Sequence, residues 1–110
     1  FDLMLLGMGA DGHTASLFPG TEALDETRRW VVPNRLNATS PMRLTMTLPI
    51  IDAATDIMFL ISGEDKASRL KEVLQPNGGA ALPAQRVKPT RGALHFMVDA
   101  AAASQLELSR

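Results

Sequence analysis

Asp11 and His13 are the side chains of this sequence whose types and spacing best suit catalysis. They follow an apolar run, and three closely spaced glycines, Gly7, Gly9 and Gly12, surround the acid. Histidine accepts a proton near neutral pH, and a neighbouring carboxylate can orient its ring. Closely spaced glycines favour a tight turn after a strand, and ligands gather at the carboxyl ends of strands in open α/β sheets. The segment therefore predicts a general base in a loop that also holds the substrate.

Two other interpretations of the loop stay open. Residues 7–12 match the G-x-G-x-x-G pattern of dinucleotide-binding sites. That motif also needs a long helix after the glycines and an acid about 20 residues further on. Here Pro19 and Gly20 end any helix early, and residues 30–34 contain no acid. The pattern therefore disfavours a dinucleotide site, whereas a structural role, with Asp11 as the cap of a short helix, is compatible with catalysis.

The elements around this loop alternate between strands and helices, which predicts an α/β fold with a mostly parallel sheet flanked by helices. Strands are predicted at 3–6, 30–32, 42–48, 56–61 and 94–98. Helices are predicted directly after the glycine loop and at 21–29 (a short helix or an ordered loop), 50–54, 64–75 and 100–108. The near-continuous apolar run at 56–61 indicates a central strand that is covered on both faces. The 110 residues suffice for a single domain.

Two basic residues, Arg43 and Lys66, are candidates for binding an anion. A guanidinium fits phosphate oxygens in pairs, and a basic residue at the start of a helix beside a strand's carboxyl end suits an anion site. Taken alone, the pattern favours a solvent-exposed charge at Arg43, and a surface lysine is an equally ordinary explanation of Lys66. If both bind an anion, we expect one sheet edge to gather them beside His13.

Side-chain alternation adds two expectations about the surroundings of these residues. Leu44, Met46 and Leu48 are predicted to face one side of their strand, and Arg43, Thr45 and Thr47 the other. On the helix that contains Lys66, the spacing of Asp65 and Arg69 predicts an i,i+4 ion pair.

Composition narrows the classes of function. The net charge of −1 argues against bulk attraction to nucleic acid or to an anionic membrane. The absence of cysteine excludes disulfides, thiolate metal sites and a cysteine nucleophile, and it fits a reducing cytosol. No run is long and apolar enough to predict a membrane span, and no signal peptide is predicted. His13 and His95 are far apart without clustered ligands, so no metal site is predicted, and without G-x-S-x-G a nucleophilic Ser16 is disfavoured.

Four segments of the chain resemble the 6-phosphogluconolactonases, which share a superfamily with the glucosamine-6-phosphate deaminases. They are residues 5–20, 43–49, 62–67 and 82–84, in the order that the family has them. The resemblance implies a doubly wound α/β fold with a short helix at 82–87. It also implies that the chain is the carboxyl-terminal half of a longer domain and is incomplete at its amino terminus. The amino-terminal half would carry a Gly/Ser-rich phosphate loop and an acidic residue near the lactone.

The resemblance implies hydrolysis of 6-phospho-D-glucono-1,5-lactone to 6-phosphogluconate, the second step of the oxidative pentose phosphate pathway. His13 is then the general base for water, and Asp11 orients the loop or the imidazole. Gly9 and Gly12 are expected to contact the substrate, with loop amides stabilising the oxyanion.

For Arg43 and Lys66 the resemblance implies contact with the 6-phosphate. It implies no metal and no cofactor. The expected partner is a small phosphorylated sugar lactone, without nucleic acid or membrane, and we expect a monomer in the cytoplasm.

Two alternatives to the lactonase stay open. The deaminase branch of the superfamily places a glutamate before its Pro-Gly for proton transfer with the histidine. Here that position is Phe18, which carries no transferable proton and so favours the lactonase. A non-catalytic sugar-phosphate-binding domain is the second alternative.

Overall fold

The computed structural model describes residues 1–107, and within them the chain alternates between strands and helices. The strands are β1 (Leu3–Leu6), β2 (Val31–Asn34), β3 (Arg43–Met46), β4 (Asp56–Ile61) and β5 (Ala93–Val98). The α-helices are α1 (Leu48–Asp52) and α2 (Ala67–Leu74). Short 3₁₀ helices cover Glu22–Asp25, Glu64–Lys66 and Pro83–Arg86. The predicted α/β class and the short helix near 82–87 are confirmed.

The strands form two separate sheets. A parallel sheet has the order β1-β4-β5, so the apolar strand β4 is central, as predicted. An antiparallel pair, β2 and β3, forms the second sheet. Arg43 begins β3, so the expectation that one sheet edge gathers Arg43 with His13 and Lys66 is wrong. The pairing of strands depends on contacts between distant segments, which local sequence patterns do not report.

The core lies on one face of the parallel sheet. Apolar side chains of the two strands and the two helices share one core there. The strands β1 and β4 contribute Met4, Leu6, Ile57, Phe59 and Ile61, and the helices contribute Ile51, Leu70 and Val73. The opposite face carries Leu3, Leu5, Leu60 and Met97, each more than half exposed. The expectation that the central strand is covered on both faces is therefore wrong within the described residues. An apolar strand face shows that burial is favourable, but it does not show which segment covers it.

Burial along β3 does not follow the apolar residues alone. Leu44 is 75% exposed, whereas Thr45 and Thr47 are buried. The hydroxyl of Thr45 accepts a hydrogen bond from the Ser16 N–H at 3.0 Å, and that of Thr47 donates to the Arg29 carbonyl at 2.6 Å. Because both hydroxyls find backbone partners, their burial carries little cost. Alternation of apolar residues cannot reveal such partners.

Other element boundaries differ by a few residues from the predicted ones. Helix α1 begins at Leu48 and not at residue 50, and α2 begins after the 3₁₀ turn Glu64–Lys66. Residues 100–105 form hydrogen-bonded turns that start at Asp99, whose Oδ1 accepts the Ala102 N–H at 2.8 Å, and not the predicted helix. The end of that prediction, residue 108, lies outside the described residues. Among residues 1–107 no helix has the length and apolar character needed to cross a membrane.

Candidate active site

The glycine loop begins where β1 ends, and it is closed by its own hydrogen bonds. The Gly9 N–H donates to the His13 carbonyl at 2.8 Å, and the Gly12 N–H donates to the Gly9 carbonyl at 2.9 Å. The buried Thr14 hydroxyl donates to the Gly7 carbonyl at 2.8 Å. Gly12 has φ +86°, a conformation that favours glycine. The predicted tight turn at the carboxyl end of a strand is confirmed.

These bonds correct the expected role of the loop amides. The N–H groups of Gly9 and Gly12 are both used inside the loop, so neither is available to donate to a substrate. Gly9 contributes instead by having no side chain. A β-carbon there would overlap Cε1 and Nδ1 of the His13 ring. The ring therefore lies directly against the Gly9 backbone.

Asp11 and His13 form a hydrogen-bonded pair. Asp11 Oδ1 lies 2.5 Å from His13 Nδ1 and accepts the His13 backbone N–H at 3.0 Å. Residues 13–20 form turns and not the predicted helix, so Asp11 has no helix to cap, and its carboxylate is bonded to His13 instead. A carboxylate at Nδ1 selects the tautomer that has its proton there, which leaves Nε2 as the proton acceptor.

Electrostatics keep Asp11 ionised. Partial burial raises the pKa of its carboxyl, but the hydrogen bonds from the His13 ring and backbone, together with the imidazolium charge, outweigh burial. The pKa of Asp11 therefore lies below its ordinary value. An ionised carboxylate at this position would stabilise a protonated His13 ring.

A pocket of about 360 Å³ opens beside the His13 ring. Its lining consists of Gly7, Met8, Gly9, His13, Thr14 and Ala15. On another side, the buried Phe18 ring lies 4.9 Å from the imidazole, tilted by 52°. The ring that faces the pocket is therefore positioned by Gly9, Asp11 and Phe18 together. A base in this position can take a proton from a water molecule that attacks a small substrate bound in the pocket.

The structure brings Lys66 to the loop. Its Nζ donates to the Met8 carbonyl at 2.8 Å. Sequence reasoning missed Arg69, whose Nε donates to the Ala10 carbonyl at 3.3 Å. The predicted ion pair between Asp65 and Arg69 is wrong, because the Arg69 guanidinium pairs with Glu72 at 2.9 Å. The one available signal was a second cation, three residues after Lys66, on the same side of the helix predicted at 64–75.

Arg43 does not line the pocket. It is exposed, and within residues 1–107 its guanidinium makes no salt bridge. Arg43 is paired across the hairpin with Asn34, whose amide donates to the Ser16 carbonyl at 2.8 Å. The hairpin is thus tied to the segment that follows His13.

His95 is exposed on β5, and its Nε2 lies 3.2 Å from Asp56 Oδ1. In the part of the chain that the structure describes, no group of three or more His, Cys, Asp or Glu side chains is arranged to hold a metal ion.

Residues 1–96 match the sequence model of the glucosamine-6-phosphate isomerases/6-phosphogluconolactonase family, and the chain belongs to this family. Within it, the chain is 45% identical over 109 residues to 6-phosphogluconolactonase of Rattus norvegicus. That alignment covers 98% of this chain and 42% of the relative, so the chain spans about two fifths of the relative's length.

Solved structures agree with this assignment. The 6-phosphogluconolactonase of Trypanosoma brucei superposes with a TM-score of 0.86 at 31% identity, covering 97% of this chain and 43% of that one. A monomeric glucosamine-6-phosphate deaminase superposes less closely, with a TM-score of 0.71 at 28% identity over 94% of this chain and 47% of that one. The fold is common to both branches, so the side chains near His13 must distinguish them.

Proposed function

We propose that the protein containing this chain hydrolyses 6-phospho-D-glucono-1,5-lactone to 6-phosphogluconate, in the oxidative pentose phosphate pathway. The observation that carries the proposal is the Asp11–His13 pair, whose ring faces a pocket at the carboxyl end of β1. The 45% identity to a 6-phosphogluconolactonase supports it. Because the chain spans 42% of that relative, the proposal concerns the whole protein.

The proposed reaction adds one water across the ester. His13 Nε2 takes a proton from water while the water oxygen bonds to the lactone carbonyl carbon. The carbonyl oxygen becomes negative in the tetrahedral intermediate. When the carbonyl re-forms, the bond to the ring oxygen breaks, and the imidazolium returns its proton to that oxygen. The product is a carboxylic acid, which ionises and makes the reaction measurable as acid release.

Asp11 acts in this scheme by holding the Nδ1 side of the imidazole and stabilising its protonated form. The step balances with water alone, so we propose neither a metal nor a cofactor. The oxyanion is expected to find its donors outside Gly9 and Gly12, whose N–H groups are used within the loop.

Lys66 and Arg43 are proposed contacts of the substrate phosphate. An ammonium has three N–H donors, and Lys66 uses one of them on the Met8 carbonyl, beside the pocket. Arg43 is exposed and can offer its planar donors to phosphate oxygens in pairs. Binding the phosphate, which does not react, would orient the lactone for attack.

We also infer a small sugar phosphate as the partner, a cytoplasmic location and a monomeric protein. The absence of cysteine supports a reducing compartment. The monomeric deaminase among the structural relatives supports the monomer.

The test compares both histidines in the full-length protein. Ring opening of fresh 6-phosphogluconolactone is followed as acid release above the spontaneous rate. We expect His13→Gln to lower kcat by about 10²-fold or more, as loss of a general base does. His95→Gln is the matched control, because His95 lies outside the pocket, and we expect its rate within about twofold of wild type.

Each other outcome has a defined meaning. If His13→Gln matches wild type, His13 is not the base. If wild type matches the spontaneous rate, the lactonase proposal fails, and ammonia release from glucosamine 6-phosphate becomes the next assay. Phe18, which carries no transferable proton beside His13, argues against that second activity.

A further inference from the structure

Two cations hold carbonyls of the glycine loop: Lys66, which ends the 3₁₀ turn before α2, and Arg69, which lies on α2. Lys66 Nζ donates to the Met8 carbonyl at 2.8 Å, and Arg69 Nε donates to the Ala10 carbonyl at 3.3 Å. Lys66 is the residue directly before α2, and Arg69 lies in the first turn of α2, so both side chains extend from the same end of this helix. The two carbonyls lie on either side of Gly9, against which the His13 ring packs.

Arg69 is itself fixed to its helix. Its Nη1 donates to Glu72 Oε1 at 2.9 Å while its Nε reaches the Ala10 carbonyl. A planar guanidinium can make both bonds at once, and its fork is preorganised for them. Arg69 does not line the pocket. Its influence on chemistry must therefore pass through the loop.

The path from Arg69 to the base is short. The Ala10 carbonyl belongs to the planar peptide group that ends at the Asp11 nitrogen, so holding this oxygen restricts the Asp11 backbone. Asp11 Oδ1 in turn lies 2.5 Å from His13 Nδ1 and accepts the His13 N–H at 3.0 Å. Small displacements of a catalytic group cost large factors in rate.

We propose that Arg69 is a positioning residue, which sets the Asp11–His13 geometry by holding the Ala10 carbonyl. The expected effect of Arg69 on hydrolysis rests on the proposed lactonase function, whereas its expected effect on the position of the His13 ring does not depend on that function. A positioning role and a phosphate-binding role differ in kinetics, because the first lowers kcat and the second raises KM.

The kinetic test uses the full-length protein with Arg69→Gln and, as the matched control, Lys71→Gln. Lys71→Gln removes one positive charge from the same helix. The Lys71 ammonium pairs with Glu107, 3.2 Å away, and not with the glycine loop. We expect kcat to fall about tenfold in Arg69→Gln, with KM within about twofold, as for one charge-assisted hydrogen bond. Arg69→Lys should recover part of the loss, and Lys71→Gln should match wild type.

A double-mutant cycle tests the path. If Arg69 acts through Asp11, then Arg69→Gln costs less than about twofold in an Asp11→Ala background. A full additional tenfold loss there would overturn the proposal. A rise in KM at unchanged kcat would also overturn it, by making Arg69 a substrate contact.

An NMR measurement separates this inference from the proposed function. The Nδ1 proton of the His13 ring reports its hydrogen bond to Asp11 without any substrate. We expect its signal to move or broaden in Arg69→Gln and to stay unchanged in Lys71→Gln. An unchanged signal in both variants refutes the positioning role, whereas absent hydrolysis by wild type refutes only the lactonase function.

Discussion

Gly9→Ala is the substitution that tests the geometry of the candidate site most directly. A β-carbon at Gly9 would overlap Cε1 and Nδ1 of His13, so the ring must move away from the pocket wall. The backbone of Gly9 does not have positive φ, and alanine can adopt it. The effect of the added methyl is therefore steric, and it acts on the imidazole.

The expected size follows from what the ring loses. Displacing a general base by about 1 Å costs about 10²-fold in rate, so we expect kcat of Gly9→Ala to fall by about that factor. Overpacking costs about 1–3 kcal/mol in a closed core. Here the His13 side chain is 32% exposed and can swing outward, so we expect a loss near 1 kcal/mol. Activity should therefore fall far more than stability.

Gly7→Ala is the matched control for this substitution. A β-carbon at Gly7 meets no atom within 4 Å, although Gly7 lines the same pocket. We expect its unfolding free energy from urea titration and its kcat to match wild type, with any loss confined to KM. Wild-type kcat in Gly9→Ala would refute the reasoning, because catalysis would then not depend on the ring position beside Gly9.

Two further predictions concern stability. Backbone N–H groups of Arg29 and Arg28, with the Arg29 guanidinium, lower the pKa of Glu26 from 4.5 to about 2. A lowered folded-state pKa stabilises the protein above the unfolded value, and this contribution is lost as pH falls from 4.5 towards 2. In urea titrations across that range, Glu26→Gln should show a weaker loss of stability on acidification, and an unchanged slope would contradict the assignment. Thr45→Val should lower the unfolding free energy at pH 7 by about 1–3 kcal/mol, because it leaves the Ser16 N–H without its acceptor; a loss below about 0.5 kcal/mol would show that water replaces the hydroxyl.

A feature of the fold could be predicted from the sequence where the residues of a single segment determine it. The apolar run of β4 indicated a central strand, and the sheet order confirms it. The burial of Thr45 on β3 could not be predicted, because its hydroxyl is paired with the N–H of Ser16, which lies 29 residues away. The division into two sheets was missed for the same reason. Both depend on partners that are distant in sequence, whereas alternation reports only local preference.

In the candidate site, too, contacts between residues close in sequence could be predicted, whereas contacts between distant residues could not. Asp11 and His13 are two residues apart in a tight loop, so their pairing could be predicted from spacing. The contacts of Lys66 and Arg69 with loop carbonyls span 58 and 59 residues, and a carbonyl acceptor leaves no mark in the sequence. The role of Gly9 was predicted for its amide, but its significance lies in the space that it leaves for the ring.

The segment from Ala10 to Ser16 is held by two side chains, one on each side of His13, and these two side chains differ in burial. After His13, the buried Thr45 of the β2–β3 hairpin holds the chain, because its hydroxyl accepts a hydrogen bond from the Ser16 N–H. Before His13, it is held by Arg69, whose side chain is about two fifths exposed. Buried hydrogen bonds contribute more to stability than exposed ones, since an unpaired buried group loses its hydration. Substitution of Thr45 should therefore mainly lower the unfolding free energy, and substitution of Arg69 should mainly change the geometry of the Asp11–His13 pair.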